Sequence, residues 1–453
     1  MPIQWPEGKK QTWADQGLSA DGKSPVGGAI LAAGLGSRLE PLTRHYRPKP
    51  LFPLGGKSTM LDTWVRKFVD AGITSLSMNL CVLKETIREH FGAGEKYGAQ
   101  ILFAEEHQPS GTLGGVCKQA FGSAARLLPH ESPQEHSPFT GQTLIVPSGD
   151  IVTNLDADLL GEMHTIHTRR GAAVTMVLVP VPWNRVKDFG TAILATPESG
   201  QGPLSRSGQI VDFHEKNPHS PSNLNNASVY FIDMGFLREL ERRRTEASLQ
   251  VAEPCYDFGK HVFPALLGKL PYARFARDCS LWGVQYDGAW FDVGQKQDYL
   301  DVHQQILDGQ LAVEMPYERL PWGWLGTDVQ IDFSRVTIVP PVVIGHRCVI
   351  ESGAVLGPYA VVGDGWTIES GARVSRSVLW ERYCRRTADG RVLTAEEMLA
   401  VDAHRVRSGS DVDRCIVAGG TLTGRLESVT VEAHESGDTI VRPLLEQPTG
   451  PRL

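Results

Sequence analysis

The sequence predicts an α/β domain built on a mostly parallel sheet, followed by a parallel β-helix of hexapeptide repeats. Three observations predict it. Short apolar runs alternate with amphipathic stretches from residue 26 to about 305, a glycine-rich loop follows the first run, and seven aliphatic residues recur six apart between 338 and 374. Alternation of strand and helix places helices over both faces of a parallel sheet. A spacing of six fits no helix, but it keeps strand alternation in phase and matches a coil that turns after every sixth residue.

At 453 residues the chain is long enough for two to three domains of about 150 residues each. A formal charge of -7 argues against a nucleic-acid partner, while local cations can still hold an anionic substrate. Seven cysteines (81, 117, 255, 279, 348, 384 and 415) are scattered without CxxC spacing. That pattern indicates neither a disulfide framework nor a zinc site, and reduced thiols of a cytoplasmic protein are the simplest expectation. The first 26 residues are polar and lack an apolar leader core, and no run of about 18 apolar residues occurs, so neither export nor a membrane span is expected.

Taken in order, residues 1–25 read as an extension. "GGAILAAG", "SLSMNL", "QILFAEE", "TLIVPSGD" and "AVTMVLVPV" read as strands, and "MLDTWVRKFVDAG", "LKETIREHFG", "GVCKQAFGSAARLL" and "DLLGEMHTIHTRRG" as the helices between them. In such sheets ligands gather at the carboxyl ends of the strands, which is where the glycine loop after "GAILAA" falls. Two stock phosphate loops fail on spacing. A dinucleotide fingerprint needs a third glycine where Leu39 stands, and a Walker loop ending in "GGKS" needs a glycine at Leu51. Gly34 and Gly36 still allow backbone N–H groups to approach a phosphate chain.

Residues 306–335, rich in proline and tryptophan, read as a connector, and 336–435 as the coil. Its repeating aliphatic positions are Ile338, Ile344, Ile350, Leu356, Val362, Ile368 and Val374. The positions two residues earlier (Val336, Val342, Cys348, Ala354, Ala360, Trp366 and Ala372) are mostly small or apolar, as a tight interior requires. The pattern breaks near 381–410, where Thr394 and Glu397 have capping-box spacing ahead of a short helix. "DRCIVAGGTLTG" is expected to resume the coil, and 436–453 reads as a tail.

"LAAGLGSRLEPLTRHYRPKPLFPL" resembles the signature of the sugar-phosphate nucleotidyltransferases, the NDP-sugar pyrophosphorylases, in which a GxGxR loop precedes a Pro-Lys pair. "PSGTLGG", "VPSGD", "FGTAIL", "FHEKNP" and "GAWFDVGQKQDYL" resemble the family's further motifs and occur in its order. The resemblance implies a Rossmann-like transferase domain over 26–305, and several such families append a left-handed β-helix. It implies that Leu31, Ala33, Gly34, Gly36, Ser37, Gln108, Gly111 and Thr112 bind the nucleoside triphosphate, with Gln108 reading the base. Arg38, Lys49 and Asp150 would be catalytic, Asp150 and Asp292 would hold Mg2+, and Gly190, Glu215, Lys216 and Asn226 would bind the sugar 1-phosphate.

Each residue also has a plainer reading. Lys49 could be a solvated loop cation, either aspartate a helix N-cap, and Glu215-Lys216 an exposed turn. The family's asparagine motif usually continues Ala-Gly, whereas this chain has Ala227 and Ser228.

Charge sets the chemistry that the resemblance implies. A sugar 1-phosphate, whose second pKa is about 6, is already an anion at neutral pH and needs no general base. Catalysis is then a matter of holding two polyanions in line and stabilising the charge that develops. Among the possible bases and sugars the resemblance is first to mannose-1-phosphate guanylyl transfer, with glucose-1-phosphate adenylyl, thymidylyl or uridylyl transfer as the alternative. A second activity, acyl transfer by the coil, would need a coil histidine, and His346 is the only one within the hexads. A regulatory subunit with a degraded site is disfavoured by intact Arg38, Lys49, Asp150 and Asp292. Assembly into a homo-oligomer is expected.

Overall fold

Two glycines open the first strand for a steric reason. A Cβ on Gly28 would lie 2.7 Å from Leu76 and 3.0 Å from Phe68, and one on Gly27 would lie 2.3 Å from Phe139, so larger residues could not pack there. The computed structural model describes residues 25–45, 47–122, 139, 141–195, 206–248, 257–269, 280–381, 404–433 and 439–444. These fall into two units. One holds the residues up to Gly34 and Trp64–Trp290, and the other holds Leu35–Thr63 and the residues from Phe291 onward. The boundary expected at 305 falls inside the second unit. Outside the described residues lie most of the expected extension, the Thr394/Glu397 helix, most of the tail, and Cys255, Cys279 and Cys384.

The first unit contains, in order, β1 (Val26–Ile30), β2 (Ser75–Leu80), α1 (Lys84–Phe91), β3 (Gln100–Glu105), α2 (Gly111–Phe121), β4 (Thr143–Pro147), α3 (Ala157–Arg169), β5 (Val174–Pro180), β6 (Gly190–Leu194), β7 (Ser207–Glu215), β8 (Leu224–Asp233), α4 (Met234–Ser248) and β9 (Leu281–Gln285). Nine strands form one sheet in the order β3-β2-β1-β4-β8-β5-β9-β7-β6. The first four are parallel, as the alternation of strand and helix predicts. β8 then enters antiparallel to both β4 and β5, so the sheet as a whole is mixed. The core lies under α2, whose Leu113, Val116, Cys117 and Ala120 join Val146, Met176, Tyr230 and Phe258. At about 25 cal/mol per Å2 of apolar surface, burial of this kind is the main force holding the sheet to its helices.

In the second unit three parallel sheets stack into the coil. Val342↔Ala360, Val349↔Thr367 and Val355↔Arg373 pair on its three faces, one turn apart. From 342 to 374 both of the hexad sets are buried and form one core. Beyond residue 404 Asp411–Asp413 runs parallel to Arg373–Ser375 and Ile416–Val417 parallel to Val378–Leu379. The coil starts earlier than the hexads, because Gly323–Leu325 already pairs with Val342–Ile344 inside the stretch that reads as a connector.

Cys348 and Cys415 sit in the interior, and burial pushes each thiol up to about 11. His346 is occupied structurally: its ring packs on Tyr317 at 5.0 Å, and its Nδ1 lies 2.8 Å from the Thr327 amide. Among the described residues no helix is long and apolar enough to cross a membrane.

Candidate active site

The end of β1 is stitched to the end of β4. The Leu31 amide donates to Pro147 O at 3.0 Å, and the Gly149 amide donates to Leu31 O at 2.8 Å. This brings the start of the glycine loop beside "VPSGD". The Ser148 hydroxyl donates to Asp150 Oδ1 at 2.6 Å, leaving Asp150 half-buried. Asp150 is not a helix cap; that task belongs to Asp156, which accepts from the Leu159 amide at the start of α3.

The next residue, Ala32, donates its amide to buried Asn79 Oδ1 at 2.7 Å, and Asn79 donates in turn to Glu106 Oε1 at 2.7 Å. The other Glu106 oxygen accepts from the amide and the hydroxyl of Ser110. This network fixes the entry to α2, whose first residue, Gly111, has φ +76, a conformation that suits glycine. Ala33 is buried, and Gly34 and Gln108 are exposed. Asn79, Glu106 and Ser110 were not singled out in the sequence. Their only signal is two uncharacteristic polar residues at the ends of apolar strands.

A second cluster of the same unit gathers around Glu215. A Cβ on either Gly190 or Gly259 would lie 2.7 Å from Glu215 Oε2, so two glycines hold the walls open around one carboxylate. Burial, and then the neighbouring Asp257, push the Glu215 carboxyl above the usual range. Thr112 belongs to this cluster: its hydroxyl lies 3.3 Å from Asp257 Oδ2 and accepts the Phe258 amide at 2.9 Å.

Asn226 donates to the Tyr230 hydroxyl at 2.8 Å and accepts the Ser228 amide at 3.0 Å. Ser228 has φ +56 at an irregularity in β8. The residue that departs from the family's Ala-Gly thus takes a backbone conformation for which glycine is the usual choice, at a cost of about 1–2 kcal/mol. Lys216 also takes positive φ, 50°. Asp257 and Tyr230 are further residues that sequence reasoning missed.

In the second unit, Gly36 (φ +64) starts the short turn Ser37–Leu39, and the Thr43 hydroxyl donates to its carbonyl at 3.0 Å. A Cβ on Gly36 would meet Thr43 at 2.9 Å and the Lys49 Cβ at 3.2 Å, so the glycine brings the loop against the lysine. Lys49 is 7% exposed and its Nζ lies 3.8 Å from Asp292 Oδ1, which removes the solvated-loop alternative. Pro48 leads in extended and Pro50 follows within the turn Lys49–Leu51, consistent with two stiffening rings. Ser37 and Arg38 are exposed. A Cβ on Gly294 would lie 3.3 Å from an Arg38 Nη, so Arg38 reaches the loop after Asp292. Asp292 ends a strand, and the next helix, α5 (Lys296–Leu307), is capped by Gln295 and Asp298 instead.

The arrangement offers oxygen acceptors, fixed cations and open backbone at separate points, the equipment for binding phosphates and hydroxyls. Comparison with known proteins agrees with it. The family model described as nucleotidyl transferase matches residues 27–309. UTP–glucose-1-phosphate uridylyltransferase of Synechocystis is 28% identical over 361 residues, covering 78% of this chain and 82% of the relative. Glucose-1-phosphate adenylyltransferases of Bacillus cereus and Bacillus anthracis are each 24% identical over 410 residues, covering 86% of this chain and 96% of theirs.

Proposed function

The chain belongs to the nucleotidyl transferase family, and from that premise we propose that it joins glucose 1-phosphate to the nucleotidyl group of UTP or ATP, releasing pyrophosphate. The class of reaction, sugar-1-phosphate nucleotidyl transfer, follows from the family and its relatives. The names of those relatives favour glucose 1-phosphate, with uridylyl or adenylyl transfer, over mannose 1-phosphate with guanylyl transfer. The single observation that carries the site is the buried Lys49, held 3.8 Å from Asp292 behind the Gly36 turn.

In the proposed reaction an oxygen of the sugar phosphate bonds to the α-phosphorus of the triphosphate, and the bond from that phosphorus to the bridging oxygen breaks. The electron pair leaves with pyrophosphate. Lys49 compensates charge at the reacting phosphates and Arg38 at the departing pyrophosphate. Backbone around Leu31, Ala33, Gly34, Gly36 and Ser37 cradles the triphosphate, with Gln108 and Gly111 toward the base. Glu215 accepts from sugar hydroxyls, Lys216 meets the sugar phosphate, and Gly190 and Asn226 shape the sugar's surroundings. Thr112 anchors the segment that carries Asp257.

The donor set fits Mg2+. Asp150 and Asp292 would each offer carboxylate oxygens, neither is used as a helix cap, and magnesium is commonly held by one or two carboxylates plus phosphate and water. When bound there, the ion would neutralise phosphate charge as a Lewis acid.

The proposal also takes 26–305 as the transferase domain and the coil, whose first strand pairing begins at Gly323, as the β-helix domain after it, with assembly into a homo-oligomer and residence in the cytoplasm. A pyrophosphate-release screen tests the activity by crossing UTP, ATP, GTP and dTTP with glucose, mannose and heptose 1-phosphates in magnesium. Release from glucose 1-phosphate with UTP or ATP is expected. A preference for mannose or heptose 1-phosphate overturns the sugar, and silence across every pair overturns the activity.

A further inference from the structure

The segment Leu35–Thr63, which carries Lys49, lies in the same unit as the coil, and two carboxylates on one edge of that coil grip it. Ile344, Val362 and Leu379 are aligned across successive turns. Two residues further on, His346, Asp364 and Glu381 therefore fall on successive rungs about 4.8 Å apart. The His346 amide donates to Asp364 Oδ1 at 2.9 Å, as that stacking requires.

Each carboxylate rung takes one cation from the segment. Lys57 Nζ lies 3.4 Å from Asp364 Oδ2, and Arg47 Nη2 donates to Glu381 Oε1 at 2.8 Å. Arg47 is 1% exposed, and its guanidinium lies 5.5 Å from the Trp380 ring centre. On the other side of Lys49, Phe52 packs edge-on against Trp380 at 4.7 Å and Tyr299 at 5.4 Å. Lys49 thus sits between two residues, Arg47 and Phe52, that are fastened to the same Trp380-Glu381 corner.

We propose that Glu381 and Asp364 are positioning residues for nucleotidyl transfer, acting through Arg47 and Lys57 to fix where Lys49 meets the reacting phosphates. This rests on the role proposed above for Lys49. Neither carboxylate touches substrate. Their work is geometric: a cation displaced by about 1 Å can lose about 100-fold in rate while the substrates still bind. Burial strengthens the Arg47–Glu381 pair, and removing one partner leaves the other charge desolvated without compensation. Lys57 is half exposed, so its pair with Asp364 is the weaker strut.

The test measures pyrophosphate release from UTP and glucose 1-phosphate in magnesium, alongside thermal unfolding, for Glu381→Gln, Glu381→Asp, Lys57→Met and Lys49→Ala. Glu381→Gln is expected to lower kcat about 10- to 100-fold with KM for glucose 1-phosphate changed less than about 3-fold, and Glu381→Asp to recover part of the loss. Lys57→Met, away from the tight pair, is expected to lower kcat about 3- to 10-fold with its unfolding transition intact. If Glu381→Gln fails to fold, Lys57→Met decides. Unchanged kcat in the folded variants, or losses in kcat that only follow the folded fraction, overturns the proposal. Lys49→Ala separates the two ideas: near-normal turnover in that variant removes the role of Lys49 itself, whereas an inactive Lys49→Ala beside unaffected Glu381→Gln and Lys57→Met removes only the positioning role.

Discussion

Lys49 and Arg38 are both cations, but their surroundings ask different things of them. Lys49 is buried behind Gly36 and paired with Asp292, whereas Arg38 is exposed beside Gly294. If Arg38 meets charge that appears only as pyrophosphate leaves, Arg38→Ala should lower kcat by about 100-fold or more while KM for the sugar phosphate moves little. Equal losses in kcat and affinity would assign it to ground-state binding. Glu215 allows a sharper test. Burial and Asp257 hold its carboxyl above the usual range, and the ionised carboxylate is the stronger acceptor for sugar hydroxyls, so kcat/KM for the sugar phosphate should fall as pH drops through that raised value. Asp257→Asn removes a negative neighbour, stabilises the Glu215 anion and should move the acid limb of the profile to lower pH. An acid limb that stays in place excludes Glu215 as its source. Glu215 and Lys49 were legible because each stands in a contiguous motif. Asp257 was not, because its place beside Glu215 is made across a long stretch of chain, and Tyr230, only four residues after Asn226, was not, because it stands outside any motif and meets that amide at a strand irregularity.

At the scale of elements, α2 shows how a helix is aimed by what it lacks. A Cβ on Gly115 would come 2.5 Å from Asn79 Nδ2, 3.1 Å from Glu106 Oε1 and 3.3 Å from Leu31. The absence of a side chain there lets the helix lie against the network that holds the Ala32 amide. Gly115→Ala should therefore destabilise the protein by about 1–3 kcal/mol and raise KM for the triphosphate more than KM for the sugar phosphate, as urea unfolding and steady-state kinetics would read. A variant of parental stability and parental KM values would show that the network tolerates displacement. The same scale explains what was legible in the coil. Its hexads could be read because burial of a β-helix interior is decided by local spacing alone, and the run from 342 to 374 is buried as that spacing requires. The first turn escaped notice because Gly323 pairs with Val342, nineteen residues on, whereas Val342 pairs with Ala360, eighteen on. One added residue breaks a period of six without breaking the ladder. In the sheet, alternation of strand and helix revealed the parallel half, but not β8, whose antiparallel entry depends on partners distant in sequence.

For the whole molecule, each unit carries a histidine sealed in its core, and acid should find both. In the first unit His167, 3% exposed, has Nδ1 2.9 Å from the Thr175 hydroxyl. In the second, His303, also 3% exposed, places Nδ1 2.8 Å from the Tyr299 carbonyl, which calls for a proton on that nitrogen in the neutral ring. Burial brings both imidazoles down to about 4 from an ordinary value near 6.5. The unfolded chain therefore binds more protons than the folded one between those two values. Stability is full above about pH 6.5 and falls as pH is lowered toward 4, with each histidine contributing on the order of 2–3 kcal/mol over the window. Urea unfolding at pH 7.0, 5.5 and 4.5 should show this loss. His303→Gln keeps a donor for the Tyr299 carbonyl but cannot take up a proton, so it should be less stable at pH 7, because packing is imperfect, and lose less on going to pH 4.5. His167→Asn should do the same in the first unit. If both variants retain the parental slope of stability against pH, the acid sensitivity belongs to carboxylates, and the two rings are neutral fillers whose charging the unfolded chain does not reward.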